Sequence, residues 1–571
     1  MVERGKKRSS LARKAVILSL LCVCSGSLAW ESQCWQEFRK VGPTGRALPD
    51  FSYAGYGMGD SPIPNLPQVA VATDFGAVPN DEGDDTEALQ KAVDAVAAKG
   101  GGALFIPAGR YYINSKQDGK NPNKCLRIKA SNVVLRGAGS GPEGTILHLR
   151  APIRSIHSDA TVVLGKSDWG GGSAIVTQDA KRGDTLLTVN TTTPLGKGSR
   201  FILTATDPLI DEKAPKAEKC EIPTCLVAPY QLRDDLYDTV GRRGKKLDFP
   251  VRIAEIVDDH TVRLAQPLRV DLLARWTPSI SQWRHSTGSG IEGIRFASDW
   301  PGGYAHHKPF PIDAKGKDIL RSSSEQNYQW NAILISRLWD GWVRDVVIQD
   351  YTQGITANWS KNLTFRKIAV VGVTGHTALT LSHAHDCLTE GFTITSQRVH
   401  TFFVSGMASG NVFRNSVVDY PHDKVAGTSP ALDFHGLFPY ENLYENIGQV
   451  YVMPGGAPSY LPHAGVRNVF WNLRCPAEMS RGATWPLGGP DEFFRTYAKT
   501  TSNAPRSAHE HWPKSFLVGL TREGDQPVKV RDSAADRDDE WLRVEGLNRP
   551  GVQPPSLYEA QFELRRGKGR K

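Results

Sequence analysis

The chain of 571 residues predicts an all-β solenoid of stacked coils, preceded by one amphipathic helix and interrupted by a small β-rich insertion. Three observations predict it. From Gly341 onward short units recur every roughly 20 to 31 residues, as GWVRDVVIQD (341–350), KNLTFRKIAV (361–370), DCLTEGFTI (386–394), GNVFRNSVV (410–418), ENLYENI (441–447) and RNVFWNL (467–473). Each sets an apolar residue after a polar or glycine turn and then alternates, as a half-buried strand does. Asn362, Asn411, Asn442 and Asn468 repeat in those turns, where stacked amides can bond the next coil. Thr73 to Tyr112 reads as strand end, acidic loop, helix, glycine turn and strand.

The first 29 residues have the layout of a secretory signal peptide: six cations (Arg4, Lys6, Lys7, Arg8, Arg13, Lys14), a short apolar run from Ala15 to Cys24, and Ser27-Leu28-Ala29. Cleavage after Ala29 predicts a soluble, exported protein, extracellular or periplasmic, with no membrane span. Residues 30–72 form a lead-in rich in Gly, Pro and aromatics; its Tyr and Phe rings pack on the body or stack on sugars. Residues 73–158 hold the helix and the first coils. Asp84, Asp85 and Thr86 are its N-cap candidates, and Ala88, Leu89, Ala92, Val93 and Val96 recur at helical spacing. Gly100 to Gly102 stop it. Residues 159–271 change pattern, with strand-like runs at 184–190, 200–205, 251–257 and 261–265 that predict the insertion. The main coils occupy 272–476. Past Pro476 the pattern fades into an extension, 477–571, with a terminal helix near 555–564 and a basic tail.

The segment GGALFIPAGRYYI after the helix, with the acidic loop before it, resembles the N-terminal part of the pectate-lyase-like (pectin lyase-fold) superfamily. That resemblance implies a right-handed, single-stranded parallel β-helix with a helical cap over its open N-terminal end. It also implies a secreted, carbohydrate-active protein. It does not by itself imply a reaction.

The formal charge is +9, but clusters at both termini supply much of it. The mildly basic body suits an acidic polymer. No zinc motif or aromatic-interleaved basic patch points to nucleic acid. Six cysteines follow Ala29 (Cys34, Cys125, Cys220, Cys225, Cys387, Cys475); they read as structural disulfides, one of which could close the CEIPTC loop, or as buried thiols.

Five of the chain's 15 histidines, His376, His383, His385, His400 and His435, fall in three consecutive units with His422 alongside. Aligned by strand, Ser382, Ser405 and His435 form one column, and Thr380, Phe403 and Asp433 another. Thr377 and His400 sit near the strand starts. Asp433 and His435 share a face, so the carboxylate can orient the imidazole. The candidate catalytic residues are therefore His435, His400, Asp433, Arg398 and, ranked lower in a turn, His383. Elimination on a uronate polymer needs a cation for the sugar carboxylate, here Arg398 or Lys424, and a base, His400 or His435. Hydrolysis needs two carboxyl groups, Asp433 with Asp386 or Asp419. Within the main coils the closely spaced aspartates, Gly-His-Gly and Arg-Ile-Lys of polygalacturonases are absent; the chain's Arg-Ile-Lys, 127–129, precedes those coils. The preferred reading is a polysaccharide lyase on a uronate-containing polymer, then a glycoside hydrolase, then a non-catalytic carbohydrate-binding β-helix. No cofactor is assigned; a Ca2+ site on Asp residues and metal binding by the histidines both stay open. The expected state is a monomer.

Overall fold

A computed structural model describes residues 29–114, 125–153, 159–166, 172–208, 220–230, 246–302, 304, 329–420, 431–455, 463–475, 493–494, 512–524, 527–530 and 541–568. The leader before Ala29 and Lys424 lie outside these residues. The architecture is an all-β parallel β-helix. One long sheet stacks strands from Gln68–Val71 through Gly290–Ser298, Trp342–Gln349, Thr364–Val371, Leu388–Ile394, Val412–Val418 and Leu443–Gly448 to Arg543–Glu545. A second sheet of eight strands includes Gln353–Asn358, Gly375–Ser382, Arg398–Ser405, Ala431–Phe434 and Tyr451–Pro454. Neighbouring rungs pair in parallel throughout both. Between the sheets lies one continuous core that includes Ile355, Leu379, Leu381, Phe402, Val404, Leu432 and Phe434.

The coil stack continues past Cys475, through Phe516–Val518 and Arg543–Glu545. These strands have three residues each, too few to show alternation. The helix Thr86–Ala98 turns Leu89, Ala92, Val93 and Val96 into the core, sealing the end of the stack. Asp85 does not cap it; its carboxylate instead accepts from Val78 N–H and Tyr112 N–H, tying two loops. Gly102 has φ +129, and a Cβ there would strike Val69, so only glycine makes this turn.

Six successive strands of the long sheet, from Gly290–Ser298 to Leu443–Gly448, are each bent by a left-handed residue, Gly293, Asp345, Lys367, Gly391, Asn415 and Asn446 in turn. A second left-handed column, Asp340, Asn362, Asp386, Gly410, Glu441 and Arg467, precedes the long sheet. The asparagine ladder stands one place after it. Asn411 bonds Asn442, Asn442 bonds Asn468, and Asn468 N–H donates to Ser515 Oγ. Asn362 is not a rung. The pairing Trp342–Thr364–Leu388–Val412 puts Leu363 in the ladder position and Asn362 in the left-handed one, where its amide donates to Tyr53 O. Replacing Asn411 or Asn442 with alanine strips partners from buried backbone and lowers stability by about 1–3 kcal/mol without touching chemistry. Thermal melting checks this, and an unchanged midpoint in both variants counts against the ladder.

The antiparallel insertion runs, among the described residues, from Ser173–Ile175 to Ser279–Gln282, and its outer strands include Leu186–Thr188. Val162–Gly165, read from sequence as part of it, is a coil strand paired with Asn331–Ser336. On either side of the insertion the coils join directly, with Glu292 beside Arg136 across 156 residues. Three insertion arginines reach the left-handed column of the coils: Arg200 bonds Asp340 at 2.6 Å, Arg269 bonds Asp386 and Glu441, and Arg182 bonds Glu441 at 2.8 Å.

The lead-in and the helix Leu557–Lys568 cover an outward apolar column of the long sheet, Leu388, Val412, Leu443, Val469 and Phe516. Phe51 is fully buried there, and Tyr56 meets Trp342 edge-on at 5.5 Å. These rings therefore pack. All six described cysteines are free thiols, five of them buried, so the bridge across CEIPTC does not form.

Candidate functional site

The phase of the second sheet is set by its core residues. Leu379 and Leu381, Phe402 and Val404, and Leu432 and Phe434 point inward. Thr380, Phe403 and Asp433 then form an outward column, in the register read from sequence. Ser382 pairs with Ser405, and His435 N–H donates to Val404 O, which continues the neighbouring column. Thr377 pairs with His400.

Asp433 joins two imidazoles. Its Oδ2 meets His400 Nδ1, and its Oδ1 meets His435 Nδ1 at 3.1 Å. The carboxylate is fully buried and His400 is 2% exposed, whereas the His435 side chain keeps 28% of its surface. Burial alone would raise the Asp433 pKa. The charges and hydrogen bonds of His400 and His435 outweigh it and hold the group well below the usual carboxylate range. Asp433 is thus a fixed anion that locks each Nδ1 and turns each Nε2 away. Gly455 lies against it, and a Cβ there would come within 2.0 Å of Asp433 Oδ2. The His435 ring stacks on Phe403 at 4.4 Å and meets the His400 ring edge-on at 5.0 Å. His376 extends the row, 4.9 Å from His400, and its Nδ1 accepts from Gln353 Nε2 at 2.7 Å. Gln353 also receives Thr377 Oγ1. Gln353 and Gly455 escaped the sequence reading because each lies one coil outside the histidine-bearing units.

Arg398 does not face this surface. It is fully buried, its Nη1 donates to Tyr351 O at 2.5 Å and Thr352 O at 3.2 Å, and burial lowers its pKa to about 10. It fits because Gly375 beneath it has no Cβ. A guanidinium that is fully buried, with Nη1 on backbone carbonyls, is out of a substrate's reach, so the sequence expectation for Arg398 is corrected.

His383 sits apart, left-handed at φ 48, its ring stacked on Trp359 at 3.9 Å. Asp386 is likewise remote, held by Lys361, Arg269 and Gln266. Asp419 is exposed at the end of Val412–Val418 on the other sheet. Neither pairs with Asp433. Burial lowers His383 to about 4 and His385 well below its ordinary value, so both are neutral in the fold. The unfolded chain protonates them near 6.5. Their contribution is therefore complete above that value and is lost as pH falls from about 6.5 towards about 4. His383→Phe keeps the stack on Trp359 and should flatten that slope, read from melting at pH 7 and pH 5. An unaltered slope would count against a neutral His383.

Among the described residues, His400, Asp433 and His435 form the group whose ligand atoms lie close enough for a metal ion, within 4.8 Å of one another. Two imidazoles and one carboxylate suit a transition ion better than calcium, which takes six to eight oxygens.

The family described as rhamnogalacturonase A/epimerase, pectate lyase-like, matches residues 69–182. Over that stretch the chain is similar to pectate-lyase-like proteins. Mannuronan C5-epimerase AlgE1 of Azotobacter vinelandii is 39% identical over 102 residues, 17% of this chain and 7% of that protein. Alginate lyase 7 of the same organism is 37% identical over 101 residues, 17% of this chain and 11% of that protein. The chain therefore spans about a tenth or less of these curated relatives. The tailspike gp49 of Pseudomonas phage LKA1 has 13% identity and a TM-score of 0.47, covering 80% of this chain and 64% of that one.

Proposed function

We propose that the chain is an enzyme acting on an acidic polysaccharide, which removes the proton beside a uronate carboxylate and eliminates the neighbouring glycosidic oxygen. One observation carries the reading: a partly exposed His435 held on a buried, ionised Asp433 that also binds His400. His435 takes the C5 proton, and Asp433 supports the resulting imidazolium. The electron pair left on carbon becomes the C4–C5 double bond as the C4–O bond breaks. The imidazolium proton passes to the leaving oxygen, so one side chain serves both transfers. His400 acts through Asp433 as a positioning residue.

Epimerisation is the second reading, because it begins with the same proton abstraction and short stretches of the chain resemble both an alginate lyase and C5-epimerases. Hydrolysis has less support. It needs two carboxyl groups flanking the bond, one of them protonated. Asp433 is ionised with both oxygens occupied, and Asp386 and Asp419 are elsewhere. Among the described residues no helix is long and apolar enough to cross a membrane, and the leader-like first 29 residues support export.

The test incubates the protein with a panel of acidic polysaccharides. Ultraviolet absorbance, reducing ends and C5 configuration by NMR are followed together. Rising absorbance supports elimination. Inverted C5 without absorbance transfers the reaction to epimerisation. Reducing ends without either overturn proton abstraction.

A further inference from the structure

The long sheet carries a second charged feature, on a different face of the coil from the His–Asp–His array. One outward column reads, rung by rung, Arg136, Glu292, Arg344, Arg366, Glu390, Arg414 and Glu445. Cations and anions alternate except at one step, where Arg344 and Arg366 occupy adjacent rungs. Rungs of a parallel sheet lie about 4.8 Å apart, and like charges placed side by side there are destabilising. Each guanidinium leans away from the other. Arg344 bonds Glu292 at 2.6 Å, and Arg366 bonds Glu390. Glu292 is already shared with Arg136 at 2.6 Å and with the Trp342 indole at 3.2 Å.

Beside this step runs a groove of about 390 Å³. Its floor is lowered at one end by Gly137 and Gly293, and the exposed Lys367 stands on the left-handed column at the other. Four cations, Arg136, Arg344, Arg366 and Lys367, line it against two carboxylates, Glu292 and Asp345. Asp345 is engaged by the Ser140 hydroxyl at 3.0 Å. The side chains of Arg344 and Arg366 remain 32% and 45% exposed, so their outer N–H groups can be reached from solvent. A guanidinium fork matches the two oxygens of a carboxylate, phosphate or sulfate. The volume falls within the range that holds a small ligand.

We propose that this groove is a second, non-catalytic oxyanion site that grips a carboxylate of an acidic glycan chain between Arg344, Arg366 and Lys367. The choice of a uronate as ligand rests on the proposed function; the oxyanion site itself does not. A chain held there keeps the polymer on the coil while its reacting unit occupies the other sheet, and raises local substrate concentration.

Calorimetric titration of the His435→Ala protein with a short uronic acid oligomer tests the proposal, because that protein should consume the probe far more slowly. Inorganic sulfate and a neutral oligomer form the other arms. The comparison variant also carries Arg344→Gln, Arg366→Gln and Lys367→Gln. It should fold, since Glu292 keeps Arg136 and Glu390 keeps Arg414 within 4.0 Å. The expected result is two uronate sites in His435→Ala, one of them weakened tenfold or more by the three changes and by added salt. On the unmutated His435 background, the three changes should leave turnover of short oligomers unaltered and slow that of long polymer. Sulfate binding as tightly as uronate at the same site would keep the oxyanion site and remove its uronate preference. An isotherm that the three changes leave unaltered overturns the proposal, as does binding of the neutral oligomer with equal affinity. Failure of elimination with sulfate still bound would separate the loss of the catalytic reading from the loss of this one.

Discussion

Replacing His435 with alanine should lower turnover of the acidic polysaccharide by about a hundredfold or more, with melting unchanged. The argument is one of position. His435 is the partly exposed member of the array, and its Nδ1 is committed to Asp433, which leaves Nε2 to meet a substrate. Asp433→Asn should produce a loss of the same order by a different route. The amide keeps the shape but removes the anion, so neither imidazole is held in its tautomer nor supported when protonated. His400→Gln acts at one remove. It should leave measurable activity and displace the pH–rate profile, which a merely structural residue would not do. Full turnover in a folded His435→Ala protein removes that residue from the chemistry, and equal profiles for wild type and His400→Gln remove the coupling through Asp433.

The array was legible in sequence for a physical reason. In its three coils the apolar pairs fix which residues face out, so the column Thr380–Phe403–Asp433 follows from alternation, whereas His400, in phase with the inward Phe402 and Val404, meets Asp433 against that alternation. Arg398 was misread because it opens its strand, before the apolar pair sets the phase, and because the cavity that accepts it is made by Gly375 on another coil. Asn362 was misread by one place. Its unit begins Lys-Asn-Leu-Thr, and Thr364, not Leu363, is the residue in register with Leu388. The terminal coils lacked enough residues per strand to show a period. The contacts of the insertion had no local signal at all, since Arg182, Arg200 and Arg269 meet carboxylates more than 100 positions away.

Those contacts give the largest stability effect expected in the molecule. Asp386 and Lys361 are both fully buried, and Asp386 receives Lys361, Arg269 and Gln266. Burial disfavours the Asp386 charge, but Arg269 and Lys361 outweigh it and lower its pKa to about 2. Asp386→Asn preserves the volume and leaves two buried cations facing a neutral amide. Breaking a buried pair in this way costs about 3–5 kcal/mol. The unfolded carboxyl titrates near 3.9, so the stabilisation is complete above that value and is lost as pH falls towards about 2. A distinct outcome is expected when both charges go. Lys361→Met with Asp386→Leu removes the desolvation of two ions together and should recover much of the loss, as apolar replacements of buried pairs do. Arg269 would then rely on Glu441, which lies 3.2 Å from its other nitrogen. Denaturant titration of the single and double variants gives the coupling directly. Additive losses would mean that the carboxylate column merely tolerates the insertion, whereas recovery in the double variant would mean that the paired charges are what makes this interface sensitive to a single change.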